Sequence, residues 1–342
     1  MKAMVLTAYK KLEILEVPKP VPQVNEVLIR VKACGICGSD IYGYDGSTGR
    51  RQPPVIMGHE AAGVIEELGS AVTGWKVGER VTFDSTIFCG ACRYCLEGFE
   101  NLCDNRRVLG VSCNEYKKDG AFAEYIVVPQ RILYHIPDNV SFEQATIVEP
   151  LSVAFHAVNL TNGIMNRSAV VVGTGMVGLL VIQALRAAGF GMIIAVDTHK
   201  DRLATALANG ADEIMLSNGR APGKIKALTN GIGVDTAFEV VGSDSSLNLA
   251  INSVRKGGTV TVIGNLAART SFPLQSTVTR QLKIQGSCAS NGEYPACLDM
   301  MARGSVNVDV IISQVASLEE GPQWFEKLYN REVNMLKVVL TP

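Results

Sequence analysis

Four cysteines, Cys89, Cys92, Cys95 and Cys103, follow one another as CxxCxxCx7C in a stretch with several charged residues and little periodicity. Four thiolates on a loop too polar to hold itself together make a closed tetrahedral site, in which metal bonds take the place of a core. Zinc and an iron–sulfur cluster both use four cysteines, so the spacing leaves the metal open. Two shorter motifs come earlier: residues 34–40 read CGICGSD and residues 58–60 read GHE. Cys37 and His59 are residue types that bind zinc, and Glu60 adds a third donor beside the histidine. Either one alone reads as a core thiol or a hydrogen-bonded imidazole; together, ahead of a nucleotide-binding pattern, they read as a metal centre. Cys113, Cys288 and Cys297 lack ligand spacing, and Cys34 reads as a small packing residue.

That nucleotide-binding pattern is residues 169–197, AVVVGTGMVGLLVIQALRAAGFGMIIAVD. The order is strand, glycine turn, helix, strand, acid. Gly173 permits the tight turn, Gly175 lets backbone approach a pyrophosphate, and Gly178 lets the helix pack close on the strand. Met176 and Val177 open the helix, whose free N–H groups and positive dipole end point at the phosphates. Asp197 lies 19 residues after Gly178, about where an acid reaches a ribose hydroxyl pair. A buried βαβ unit with packing glycines is the plainer alternative. A membrane span is not: the uncharged run 168–185 is short and holds three glycines, whereas a span takes about 20 mostly apolar residues.

The elements that must position these groups fit a chain of 342 residues, long enough for about two domains. Up to about residue 150 the pattern is short alternating runs broken by Gly and Pro. In residues 27–33, Val27, Ile29, Val31 and Ala33 share one face and Arg30 and Lys32 the other, which predicts a compact, barrel-like β domain. After Asp197, βα units repeat: a helix at about 201–209, strands at 213–216 and 234–241, then GGTVTVIG at 257–264 and a last strand at 283–287. Val241, Gly242, Ile263 and Gly264 stand at strand ends, where a doubly wound sheet binds its ligand, although glycines after strands also serve simply as turns. A helix at 294–303 and a strand at 335–340 close the chain. With 32 Lys and Arg against 33 Asp and Glu, no general attraction to nucleic acid or an anionic membrane is indicated. The start lacks a signal peptide's apolar core, so a cytoplasmic setting is expected, and nine cysteines in a chain of this length are not the density of a disulfide scaffold.

CGICGSD, GHE, the GERV at 78–81, the four-cysteine lobe and GTGMVG stand in the order seen in the zinc-containing medium-chain dehydrogenases, which the whole chain resembles. The resemblance implies an α/β protein: a GroES-like β-rich catalytic domain (1–152), a Rossmann doubly wound parallel sheet domain (153–288) and a C-terminal return to the first domain (289–342). It implies a catalytic zinc and, on the Cys89 to Cys103 lobe, a structural zinc rather than an iron–sulfur cluster. The cleft is expected between Cys37, His59, Glu149 and the Gly173 turn.

At Val148-Glu149-Pro150, the alcohol dehydrogenase branch has a ligating cysteine where this chain has Glu149. The segment instead resembles the sorbitol, xylitol, galactitol-phosphate and threonine dehydrogenase branch. There Cys37, His59 and one of Glu60 and Glu149 hold the metal, while the other glutamate holds water or joins as the site rearranges. Zinc with thiolate, neutral imidazole and one carboxylate is formally neutral; two carboxylates weaken it as a Lewis acid. Ser39 stands where the family passes a proton toward the ribose, and is otherwise a turn serine; the relay's next position is Tyr42. Asp197 would repel the extra phosphate of NADP, and the resemblance attaches Arg202 to NAD, so NAD is expected over NADP. Arg50 and Arg51 read as surface arginines or as an anchor for an anionic substrate. The expected enzyme oxidises a polyol or sugar alcohol to a ketose. Oxidation of threonine, a sugar acid or a sugar phosphate is the alternative, and a catalytically inactive nucleotide-binding protein the reading from another class. A homodimer or homotetramer is implied by resemblance alone.

Overall fold

The computed structural model describes residues 1–161 and 165–342. The chain divides into two units, Met1–Glu149 with Tyr294–Arg303 and Val308–Pro342, and Pro150–Glu293 with Gly304–Asn307. The sequence places boundaries at 152/153 and 288/289; contacts in the structure divide the chain at 149/150 and 293/294, and the short piece 304–307 goes with the second unit.

The first unit is built on strand Glu26–Gly35. Val27, Ile29, Val31 and Ala33 are buried on it as their alternation requires, and Leu28 is buried as well. This strand pairs antiparallel with Glu60–Leu68, with Tyr125–Pro129 and with the closing strand Lys337–Thr341. Arg80–Phe83, Leu133–His135 and Ile312–Ser317 complete a seven-stranded sheet. A three-stranded sheet, Lys11–Glu16, Lys2–Ala8 and Val55–Ile56, shares its apolar core, which includes Met4, Leu6, Met57, Phe83, Phe122, Phe325 and Leu340. The consequence for the site is a matter of register: Gly35 faces Glu60 on one side and Val339 on the other, so segments distant in sequence meet at one point.

The second unit is a six-stranded parallel sheet in the order Glu213–Leu216, Met192–Asp197, Ser168–Val172, Val234–Glu239, Val254–Val262, Lys283–Gly286. Its inner strands are rich in Val, Ile and Ala and buried on both faces, as parallel strands between helices must be. The order reverses between Ser168–Val172 and Val234–Glu239, the switch point at which such sheets take ligands. No helix among the described residues is long and apolar enough to cross a membrane.

Candidate active site and metal centres

Cys37 caps the short helix Gly38–Gly43, while His59 and Glu60 open the strand Glu60–Leu68. Their three donor atoms lie within 4.8 Å of one another. Glu60 Oε1 is buried and, among the described residues, accepts no hydrogen bond; Glu60 Oε2 accepts from Lys337 Nζ, which also donates to the Ile36 carbonyl at 3.1 Å. Gly35 makes room for this pair, because a Cβ there would sit 2.5 Å from Glu60 Oε2 and 3.2 Å from Lys337 Cδ. An unpartnered carboxylate oxygen beside a thiol and an imidazole is a donor set that suits zinc. The residues present fit the ion.

Behind His59 stands Asp40, fully buried. Its Oδ1 lies 3.5 Å from His59 Nδ1 and accepts from Arg51 Nη2 at 3.0 Å and Nε at 3.3 Å, while Oδ2 accepts from the Cys37 N–H at 3.4 Å. Burial opposes the charge on Asp40, but His59 and Arg51 outweigh it and hold the carboxyl well below the usual range. Burial likewise opposes a proton on His59, and Asp40 and Cys37 outweigh it in turn, raising the imidazole's affinity for a proton that a metal ion displaces. At 3.5 Å the carboxylate acts on the imidazole through its charge, since His59 Nδ1 makes no hydrogen bond among the described residues.

Arg51 corrects the reading of residues 50 and 51 as a surface pair or a substrate anchor. Only Arg50 is exposed; Arg51 is 4% exposed and committed to Asp40. Ser39, exposed on the same short helix, accepts from Arg51 Nη2 at 3.5 Å, and Tyr42 is about half exposed.

Glu149 lies in the first turn of helix Val148–Asn159, and its Oε1 accepts from Ser85 Oγ at 3.3 Å. It is not among the donors gathered within 4.8 Å around Cys37. Burial pushes its carboxyl up to about 7, with Glu60 and Asp84 adding to the shift and His59 and Lys337 opposing it. The structure thus gathers Cys37, His59 and Glu60 and keeps Glu149 as a buried carboxyl that is readily neutralised.

The four lobe sulfurs, of Cys89, Cys92, Cys95 and Cys103, also lie within 4.8 Å of one another. Backbone N–H groups of Ala91 and Cys92 donate to Cys89 Sγ at 3.4 and 3.3 Å and pull its thiol down to about 6. Burial and the crowding of its neighbours push Cys95 the other way, up to about 12. Two short strands, Thr86–Ile87 and Arg107–Val108, pair at the base of the lobe, which otherwise has two helical turns, Arg93–Leu96 and Glu100–Leu102, and little core. A cation shared by four thiolates supplies what that segment lacks.

In the second unit the glycine turn divides its labour. Gly173 has φ +96°, and a Cβ on Gly178 would lie 1.9 Å from the Gly173 carbonyl oxygen, so both positions need glycine for the turn to pack. At Gly175 a Cβ would meet nothing nearer than Arg202 Nη1 at 4.0 Å, leaving backbone open to a phosphate at the start of helix Met176–Ala187. Met176 and Val177 are half-buried in its first turn. Asp197 ends its strand with both oxygens engaged: Oδ2 accepts from Thr174 N and Oγ1 at 2.7 and 3.1 Å, and Oδ1 from the His199 N–H at 2.9 Å. Val241, Gly242, Ile263 and Gly264 follow the two strands across the switch point.

The sequence reading passed over Asp40, Lys337 and Glu239, and gave Arg51 another role. Asp40 lay within the CGICGSD motif, and Lys337 is a lone charge at the start of an apolar strand, which is a usable signal; Glu239, at the end of a strand that also holds Asp235, and the pairing of Arg51 carried none.

Comparison with known proteins accords with this geometry. Residues 23–138 match the alcohol dehydrogenase GroES-like domain, and residues 176–303 match the zinc-binding dehydrogenase domain. The chain is 35% identical to a sorbitol dehydrogenase of Bacillus subtilis, covering 100% of this chain and 97% of that one, and 36% identical to a D-xylulose reductase A of Aspergillus oryzae, covering 91% and 89%. A solved alcohol dehydrogenase from Escherichia coli CFT073, in complex with NADH, superposes with a TM-score of 0.91 at 28% identity, over 100% of this chain and 99% of that one. The chain therefore belongs to the zinc-containing medium-chain dehydrogenases and is a polyol dehydrogenase-like enzyme of that family.

Proposed function

We propose that this enzyme oxidises a secondary alcohol of a polyol or sugar alcohol to the ketose with NAD as acceptor. The observation that carries the reading is the unpartnered Glu60 Oε1 among the donors of Cys37 and His59, in a chain similar end to end to a sorbitol dehydrogenase. Zinc, when bound by Cys37, His59 and Glu60 or Glu149, supplies a Lewis acid that makes a substrate hydroxyl more acidic, and the nicotinamide supplies the hydride acceptor. The chain's own residues do the rest. Asp40 sets its charge against His59, and Arg51 holds Asp40. Ser39 Oγ, accepting from Arg51, keeps its own hydrogen free to donate, so it takes the alcohol proton while passing that hydrogen on. Lys337 balances the Glu60 carboxylate. Cys89, Cys92, Cys95 and Cys103 hold a second, structural zinc.

Gly173, Gly175, Met176, Val177 and Gly178 form the pyrophosphate turn, and Asp197, held by donors from Thr174, Thr198 and His199, presents a charge that repels a ribose phosphate. Arg202 beside Gly175 is the cation that offsets it. With Arg51 committed to Asp40, one of the two arginines available to a phosphorylated substrate is gone, which favours a neutral polyol. Self-association through the second unit is supported by Leu274, Val278 and Ile284, exposed near its edge strand. With four of the nine cysteines gathered in one metal lobe, a reducing cytoplasm suits the chain.

The substrate reading is tested by comparing kcat/KM for sorbitol, xylitol, threonine, aldonates and polyol phosphates, each with NAD and NADP. A neutral polyol with NAD is expected to lead; threonine or a phosphate leading would replace it.

A further inference from the structure

Strand Val234–Glu239 ends on an acid whose side chain is fully buried and, among the described residues, forms no ion pair. Its partners are backbone. Glu239 Oε1 accepts from the N–H groups of Val241 and Gly242, each at 2.8 Å, and Oε2 from Gly242 at 3.1 Å. The Glu239 carbonyl accepts from Ile263 and Gly264 at 2.8 and 3.0 Å, and Ala267 N–H closes the arrangement on the Gly242 carbonyl at 3.0 Å. One residue therefore binds four N–H groups from the two loops that leave adjacent parallel strands.

Those loops touch with no room between them. A Cβ on Gly264 would lie 2.2 Å from Gly242 N, and one on Gly242 would lie 2.5 Å from Leu266 N. Val241 in turn lies against the glycine turn, since a Cβ on Gly173 would meet its Cγ2 at 2.6 Å. A trans peptide that aims its N–H at Glu239 aims its carbonyl the opposite way. The carbonyls of Val240, Val241 and Ile263 are thus turned away from Glu239.

A buried carboxylate without a counter-cation is expensive, and no demand of the strand itself calls for one. It is accounted for if the loop path is what matters. We propose that Glu239 is a positioning residue for the nicotinamide half of the cofactor, fixing the 240–242 and 263–267 loops so that their outward carbonyls and Val241 frame the ring. This rests on the reading of the Gly173 turn as a dinucleotide site, where ligand lies at the carboxyl ends of the strands.

The test separates the two halves of the cofactor by titrating the zinc-loaded protein with NADH and with ADP-ribose, which lacks nicotinamide. In Glu239→Gln an amide NH2 replaces one acceptor and opposes the Gly242 N–H. NADH binding is expected to weaken about tenfold, from the loss of a charged acceptor, with ADP-ribose within about twofold. Gly264→Ala, which separates the loops without touching the acid, gives the same split and decides the matter if the glutamine variant fails to fold. Equal weakening of both ligands would show a merely structural role, and unchanged NADH binding in both variants would show no role; either overturns the proposal. Wild-type protein that binds neither ligand would instead refute the dinucleotide reading beneath it.

Discussion

Lys337 Nζ and Glu60 Oε2 are hydrogen bonded to each other, and neither side chain is exposed to solvent. They are 277 residues apart in sequence and meet because the closing strand pairs with Glu26–Gly35 at Gly35. A buried ion pair is costly to break from one side, since the survivor keeps its charge without its partner. Lys337→Met is therefore expected to destabilise the metal-free protein by about 3 kcal/mol. If Glu60 binds zinc, the ion provides a second positive partner, and the loss in zinc-loaded protein is smaller. Urea unfolding of both forms checks this; equal losses would assign the metal to Glu149 rather than Glu60.

The four-cysteine lobe is expected to depend on its own ion. Cys103→Ser should lower bound zinc by about one per chain and open residues 89–103 to proteolysis and rapid amide exchange, with the rest of the first unit protected. Metal analysis and exchange mass spectrometry read this directly. Loss of both zinc ions at once would contradict two independent sites.

Asp197→Asn keeps the size of the side chain and removes its charge. The preference for NAD over NADP, as a ratio of kcat/KM, is expected to fall about tenfold, equivalent to about 1.4 kcal/mol. Because Asp197 also accepts from Thr174, NAD binding itself should weaken somewhat. An unchanged ratio would place cofactor selection elsewhere.

Glu293 gives the second unit a pH-dependent contribution. Burial opposes its charge, but hydrogen bonds from His156 and from the Asn291 N–H outweigh it and lower its pKa from the ordinary carboxylate value. A lowered folded pKa means the stabilisation is complete above the unfolded value, about 4.3, and is lost as pH falls through the folded one. Glu293→Gln should cost about 1 kcal/mol at pH 7 and progressively less below pH 4, followed by thermal unfolding across that range. A cost that does not shrink on acidification would show that the charge is not what stabilises this contact.

Much of this was legible before any coordinates. The glycine turn, the acid after the second strand and the four-cysteine lobe are local: their residues act within one loop or one βαβ unit, so spacing alone carries the geometry, whereas the pairing of Cys37 with His59 and Glu60 was carried by residue type and the family resemblance. The strand at 213–216 and the helix opening at Tyr294 stand where the sequence reading puts them. What escaped were side chains whose partners are set by sheet register. Lys337 finds Glu60 only after the last strand has docked, and Arg51 finds Asp40 only because the loop between the two metal motifs folds back on the helix that begins the site. Neither pairing leaves a periodic trace. Glu239 was hidden differently: its partners are close in sequence, but they are backbone N–H groups, which every sequence offers equally.

The central claim is zinc-assisted transfer of hydride from an alcohol to a nicotinamide. It is tested most directly by following absorbance of reduced cofactor with NAD and sorbitol or xylitol, before chelation, after it, and after zinc is returned. NADH formation that disappears with the metal and recovers with it is the expected result. Turnover that persists when metal analysis finds no zinc at Cys37, His59 and Glu60 would contradict the account.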